Sequence, residues 1–102
     1  MKITSWVKNV GNPYHNKFSQ QQLRIQVQDD STGEYLVLNI FGELVNIFMK
    51  LNEKCYKIDI DFTQNGNYKN VSELKESENQ TPGIRYENGK FIGKLRNVWD
   101  ND

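Results

Sequence analysis

Residues 23–74 contain four segments in which apolar and polar residues alternate, and a single amphipathic helical segment separates the second from the third. The alternating segments are residues 23–28, 35–41, 56–62 and 67–74. Alternation at a period of two directs one side of each segment toward a core, as in a half-buried β-strand. In residues 43–54 the apolar side chains instead recur at helical spacing, at Leu44, Ile47, Phe48 and Leu51. The pattern therefore predicts a sheet that one short helix interrupts.

A fifth alternating segment, residues 3–10, precedes this stretch, so the order is three strands, a helix and two strands. That is the element order of an OB-fold, a partly open Greek-key barrel of five strands. Beyond Pro82 and Gly83, an Asn88-Gly89 pair between alternating segments predicts a two-residue type I′ hairpin. We therefore predict an all-β chain with one short helix, made of a five-stranded OB-fold over residues 1–74, a linker over 75–83, and a C-terminal β-hairpin and tail over 84–102.

Composition argues against an enzyme or a metal protein. Cys55 is the single cysteine, and the one histidine and the absence of a paired-cysteine motif argue against a zinc site. Asp59 and Asp61 stand two residues apart, which is more typical of a charged outer strand face than of a metal site or an acid–base pair. No phosphate-binding loop and no nucleophile beside a base is present. We predict a binding protein with no catalytic residues, no metal and no cofactor.

The predicted location is the cytoplasm. No apolar run approaches the roughly 18 residues that span a bilayer, and the segment after Met1 lacks the apolar core of a signal peptide. The chain contains no alanine and is rich in Asn, Lys and Ile, which have AT-rich codons. This bias favours a phage or mobile element of a low-GC host, and then the cytoplasm of that host.

The formal net charge is zero, but its distribution along the chain is uneven. Residues 1–28 carry a net charge of +4 with no acidic residue, residues 29–83 carry −5, and residues 84–102 carry +1. A local basic surface can attract an anionic partner although the total is neutral. We expect weaker and less salt-dependent binding than for a strongly basic protein.

Several aromatic and basic residues fall where an OB-fold holds its ligand, on the second and third strands and on two loops. In the first loop, Tyr14, Lys17 and Phe18 either stack on bases and contact phosphate or cover the end of the barrel. On the second strand, Arg24 and Gln26 face away from the core, on a side that is either solvated or a binding face. If Leu36, Leu38 and Ile40 are core residues, Tyr35, Asn39 and Phe41 share that side, although Val37 and Phe41 could instead pack under a helix or loop.

The second loop, around Asn65-Gly66, leads into Tyr68 and Lys69 at the start of the fifth strand. A turn with glycine followed by an aromatic and a basic residue resembles the corresponding region of small phage and bacterial single-stranded-DNA-binding proteins, and the likeness covers about residues 2–74. The resemblance implies sequence-tolerant binding of single-stranded DNA in DNA replication or recombination. The candidate nucleic-acid-binding residues are Lys8, Tyr14, Lys17, Phe18, Arg24, Gln26, Tyr35, Phe41, Lys57, Tyr68 and Lys69.

Other readings of the same residues stay open. The chain could be an OB or SH3-like barrel that contacts proteins, such as a replisome or virion accessory or an inhibitor of a host protein. RNA could occupy the same face, because nothing in the sequence separates it from DNA. Trp6 is expected to pack in the core or at the barrel rim, with base stacking as the alternative. The hairpin is marginal alone and must dock on the barrel, a ligand or a second subunit, so a homodimer and contacts with replication or recombination proteins are further expectations.

Overall fold

The computed structural model describes residues 1–55 and 57–78, and beyond them only the backbone of residues 86–87 and 90–91. The described elements, in chain order, are strands β1 (Lys2–Val10), β2 (Tyr14–His15), β3 (Gln21–Asp29) and β4 (Tyr35–Phe41), helix α1 (Glu43–Lys54), and strands β5 (Lys57–Asn65), β6 (Tyr68–Glu76), β7 (Tyr86–Glu87) and β8 (Lys90–Phe91).

Five of the strands form a closed ring. Their order is β1-β5-β6-β4-β3, and β3 pairs again with β1. The β4–β6 pair is parallel and the other pairs in the ring are antiparallel. Strand β2 lies outside the ring and pairs antiparallel with the first two residues of β3. The prediction of a mostly β chain with one short helix is confirmed.

The core lies inside the ring, where the alternating apolar residues meet. Leu23, Ile25 and Val27 of β3 are buried, as the alternation predicts, and the same holds for Leu38 and Ile40 of β4. Burying each such side chain contributes roughly 1.5–3 kcal/mol relative to leaving it exposed. The other buried apolar residues are Val7, Val45, Phe48, Cys55, Ile58, Ile60, Phe62, Val71 and Leu74.

A β-bulge in β1 changes the side on which its last residues lie. The register with β3 shifts between Val7 and Asn9, so that Asn9 stands opposite Gln26 and Val10 opposite Ile25. Uninterrupted alternation along β1 puts Val10 on the same side as Trp6, but a bulge inserts one extra residue and reverses the alternation beyond it. Val10 packs against the core, and Asn9 faces outward.

Helix α1 has the predicted bounds but a different buried side. Val45 and Phe48 are its buried residues, whereas Ile47, predicted in the apolar stripe, is exposed. Met49 is also exposed, whereas Cys55, which follows the helix, is buried. The helix lies against β3, β4 and β6 and begins after Gly42, which has a φ of 61°.

Several predictions for the C-terminal part concern residues outside the described ranges. Strand β6 extends to Glu76, two residues beyond its predicted end. Strands β7 and β8 pair antiparallel, with Tyr86 opposite Phe91 and Glu87 opposite Lys90, as expected for the two arms of the hairpin. Tyr56 and residues 79–85, 88–89 and 92–102, which include most of the predicted linker, the turn and the tail, lie outside the described residues.

Candidate nucleic-acid interface

The outward side of β2, β3 and β4 carries polar and aromatic side chains in rows that cross the strands. Directly paired residues of neighbouring strands place their side chains on the same side of a sheet. The register gives one row with Tyr14, Gln22 and Phe41, and a second with Arg24 and Asn39. Further along come a row with Gln26 and Val37 and a row with Gln28 and Tyr35.

Strands β1 and β6 extend these rows on either side. Trp6 stands beside Gln28, Asn9 beside Gln26, and Asn70 beside Asn39. Because β4 and β6 are parallel, a step of two residues back along each leads from Asn39 to Val37 and from Asn70 to Tyr68. We call this surface the outer face, and it comprises Asn9, Tyr14, Gln22, Arg24, Gln26, Gln28, Tyr35, Val37, Asn39, Phe41, Tyr68 and Asn70.

Aromatic rings lie at both ends of the outer face and are open to solvent. Tyr35 is 56% exposed and Tyr68 is 63% exposed, and Val37 between them is also exposed. Tyr14 is 46% exposed at the opposite end, where Phe41 is half-buried. Large aromatic side chains usually bury most of their surface, so several exposed rings on one side of a small domain mark an interaction surface.

The loop between β2 and β3 presents a further ring and a cation. Phe18 is 76% exposed, and the Lys17 Nζ lies 5.2 Å from the centroid of its ring. This exposure does not fit the alternative in which Phe18 covers the end of the ring of strands. Asn16 fixes the loop, because its Oδ1 accepts hydrogen bonds from the backbone N–H groups of Phe18 at 2.9 Å and Gln20 at 3.1 Å. The exposed ring is therefore held on an ordered turn.

Arg24 occupies the middle of the outer face. Its side chain is exposed and makes no ion pair with any residue of 1–55 or 57–78. It lines a cavity of about 250 Å³ together with Asn9, Gly11, Gln26 and Val37, and with Ile25 at the base. No carboxylate belongs to the outer face, so the guanidinium is available to an anionic or acceptor-rich ligand.

Acidic residues lie at one end of the outer face, at the last residue of β3 and in the β3–β4 turn. Desolvation raises the pKa of Asp29, but hydrogen bonds from the backbone and side chains of Ser31 and Thr32 outweigh it, and the net pKa lies below its usual value. Asp29 is therefore ionised at neutral pH. A phosphate backbone that crosses the outer face is repelled from this turn.

Trp6 is held at the same end by charged neighbours. Its Nε1 donates a hydrogen bond of 2.6 Å to Asp30, and the Lys57 Nζ lies 3.0 Å from the other oxygen of that carboxylate. The indole hydrogen bond and then the Lys57 ammonium hold the pKa of Asp30 below its usual value. Lys57 and Lys8 also lie 4.9 and 5.6 Å from the centroid of the Trp6 ring. Trp6 is thus half-buried at the rim, which agrees with its predicted packing position.

The structure brings together most of the predicted site residues but not all of them. Tyr14, Arg24, Gln26, Tyr35, Phe41 and Tyr68 share the outer face, and Lys17 and Phe18 stand on the adjoining loop. Lys57 lies beyond β1, where Asp30 balances its charge and its side chain is only 12% exposed. Lys8 lies at the bulge beside Trp6. Lys69 alternates with Tyr68 and Asn70, so it lies on the other side of β6.

Two buried amides on the outer face were not predicted as site residues. Asn39 is only 5% exposed, although it lies on the outward side of β4, and Asn70 beside it is half-buried. The side-chain oxygen of each is buried and accepts no hydrogen bond from any residue in the described ranges 1–55 and 57–78, and the same is true of Asn9. Alternation placed Asn39 on this side, but its burial depends on the neighbouring strand β6, which no local pattern reveals.

Within residues 1–55 and 57–78, no group of three or more His, Cys, Asp or Glu side chains is arranged to hold a metal ion. The helix in this part of the chain is too short and too polar to cross a membrane. No protein family, curated protein or solved structure matches the chain.

Proposed function

We propose that this chain is an OB-fold protein that binds single-stranded DNA on its outer face without strong dependence on sequence. The fold assignment is supported by the ring order of the five strands, by the helix between the third and fourth of them, and by the parallel contact between β4 and β6. In an OB-fold these strands form a partly open barrel whose second and third strands and two flanking loops hold the ligand.

The observation that carries the functional proposal is the set of exposed rings around Arg24, which makes no ion pair with the part of the chain that the structure describes, on a face without carboxylates. Tyr35 and Tyr68 at one end, and Tyr14 and Phe18 at the other, offer π-faces on which bases stack. Stacking contributes roughly 1–3 kcal/mol per base and tolerates every base. Arg24 in the middle and Lys17 on the loop supply the charge that meets phosphate.

The number of available cations sets the expected salt dependence. If one or two phosphates are neutralised by Arg24 and Lys17, the logarithm of the binding constant falls with a slope of about −0.7 per phosphate against the logarithm of salt concentration. Between 50 and 300 mM salt the affinity then falls about 3.5- to 12-fold. A strongly basic protein with many contacts would lose far more.

A fluorescence titration with labelled oligo-dT at 50 and 300 mM salt tests the proposal. We expect saturable binding with this moderate salt dependence, and weaker binding by Arg24→Gln and Lys17→Gln variants. Lys50→Gln is the matched control, since Lys50 is an exposed helix cation outside the outer face. Absence of binding at both salt concentrations, with a folded protein, would refute the proposal.

Contact with another protein is the second candidate function, and the exposed patch of Tyr35, Val37 and Tyr68 favours it. Apolar patches bordered by polar residues also occur at protein interfaces, and the zero net charge suits a protein partner. This candidate gains support if oligo-dT fails to bind while a purified partner binds and protects the same patch. Under the first proposal, a role in phage or mobile-element replication or recombination follows from the resemblance described above.

A further inference from the structure

One row of the outer face places an arginine next to two amides. Arg24 on β3 stands opposite Asn39 on β4, and Asn39 stands beside Asn70 on β6. Paired residues of adjacent strands have Cβ atoms roughly 4.5–5.5 Å apart, so the three side chains are immediate neighbours. This row, Arg24, Asn39 and Asn70, is called the central row below.

The amides of the central row carry buried acceptors without a partner. Asn39 is 5% exposed, and its Oδ1, like that of Asn70, is buried and accepts no hydrogen bond within residues 1–55 and 57–78. A buried acceptor left unpaired costs about 1–3 kcal/mol, and most native structures avoid it. An amide can rotate about its last side-chain bond at little cost. Each oxygen can therefore turn toward a ligand over the row and accept a hydrogen bond from it.

A cavity beside Arg24 has room for a heterocyclic ring, and Asn39 stands next to its lining, opposite Arg24 and two residues from Val37. The cavity beside Arg24 has a volume of about 250 Å³, roughly eight times the ~30 Å³ share of one water molecule in the liquid. Val37 forms an apolar wall, and the side chains of Asn9 and Gln26 are linked by a hydrogen bond of 2.7 Å from Asn9 Nδ2 to Gln26 Oε1. A flat ring in this cavity can therefore lie against Val37 with one polar edge toward Arg24.

We propose that the central row holds one guanine of the bound single strand and makes the protein prefer guanine at that position. This inference rests on the proposed function. The Arg24 guanidinium donates two hydrogen bonds to the guanine O6 and N7, the most common specific contact between arginine and a base. The amide oxygens of Asn39 and Asn70 accept hydrogen bonds from the N1–H and the exocyclic amino group on the same base.

Other bases fit this row less well. Adenine places an amino donor beside its N7 acceptor, where it faces the donors of Arg24. Thymine has a single N–H group, and cytosine has a single amino group, so neither supplies donors from two separate atoms to the two amide oxygens. Guanine therefore satisfies both the guanidinium and the amides.

Titrations with four oligonucleotides test the inference: oligo-dT and the same strand with one central dG, dC or dA. We expect the dG strand to bind the wild-type protein about 5- to 100-fold more tightly than oligo-dT. In Arg24→Lys, which keeps the charge but loses the two-pronged donor, the ratio of dG-strand affinity to oligo-dT affinity is expected to fall to about one, and this ratio is the readout whatever the change in overall affinity. Asn70→Ala is expected to reduce the preference for the dG strand. Because Asn70 is half-buried, this substitution disturbs packing less than Asn39→Ala does.

Gln22→Ala is the matched control, because it removes an amide from the outer face one row away. It is expected to weaken all four strands equally, and near-ultraviolet circular dichroism checks that each variant is folded. Equal wild-type affinity for all four strands, or tighter binding of dC or dA than of dG, overturns the guanine assignment and leaves the proposed function standing. If no strand binds, the proposed function itself fails.

Discussion

Replacement of Tyr68 by alanine separates a binding role of its ring from a structural one. The side chain is 63% exposed, so a little over a third of its surface is covered by the protein. A fully buried aromatic side chain covers about 150–250 Å², so Tyr68 covers about 55–90 Å². At roughly 25 cal/mol per Å² its contribution to stability is at most about 2 kcal/mol. A domain of ordinary stability, about 5–15 kcal/mol, stays folded after this loss.

The expected loss of binding is of similar size but appears in a different measurement. One lost stacking contact costs roughly 1–3 kcal/mol, which raises the Kd for oligo-dT about 5- to 150-fold. Tyr68→Phe keeps the ring and should bind within about twofold of the wild type. Tyr68→Leu keeps apolar bulk without a π-face and should bind nearly as weakly as Tyr68→Ala.

The assay is a fluorescence anisotropy titration with labelled oligo-dT, and thermal unfolding of each variant is measured in parallel. Met49→Ala is the control, since Met49 is an exposed apolar residue on α1, outside the outer face. If Tyr68→Ala binds like the wild type, Tyr68 is not a stacking residue. If Tyr68→Leu retains full affinity, the contact is hydrophobic and the stacking argument fails.

Three further predictions concern the core, the Trp6 cluster and the first loop. Phe48→Ala should lower the free energy of unfolding by about 3–5 kcal/mol in a denaturant titration, because Phe48 is fully buried, whereas Ile47→Ala on the exposed side should cost less than about 1 kcal/mol; equal losses would contradict the orientation of α1. Because the pKa of Asp30 is lowered in the folded state, its contacts with Trp6 and Lys57 add stability above about pH 4 that is lost as the pH falls through the folded-state pKa. Wild type should therefore exceed Asp30→Asn in stability at pH 6 and lose that advantage in acid, and a constant difference at all pH values would refute this. Asn16→Ala removes the acceptor for two backbone N–H groups of the loop and should weaken oligo-dT binding several-fold, through a loss of order that hydrogen exchange at Phe18 and Gln20 reports; unchanged exchange would show that Asn16 does not order the loop.

Local sequence patterns predicted the elements well where each pattern is continuous. Strand β4 and helix α1 have the predicted bounds, and the inward residues of β3 are those that alternation selects. The errors occur where a bulge interrupts the alternation of a strand, or where more than one face of the helix is apolar. The bulge after Val7 reverses the alternation of Val10, and the helix buries Val45 rather than Ile47, because several helical faces were apolar enough to turn inward.

The candidate site could be predicted only as a set of separate residues. Composition identified rings and cations on loops and outward strand positions, and alternation placed Arg24, Tyr35 and Phe41 away from the core. The relation between β4 and β6 has no counterpart in local sequence, because residues such as Asn39 and Asn70 become neighbours only when the ring closes. For the same reason nothing in the sequence indicated that Lys57 forms an ion pair with Asp30.

Along β3 and β4, where the alternation is uninterrupted, the sequence by itself determined which side chains point in and which point out, since the period of a strand is a property of neighbouring residues. Only the tertiary structure decided which outward side chains share a surface, because hydrogen bonds between distant strands set the register. The burial of Asn39, its place between Arg24 and Asn70, and the exposure of Tyr68 all follow from that register.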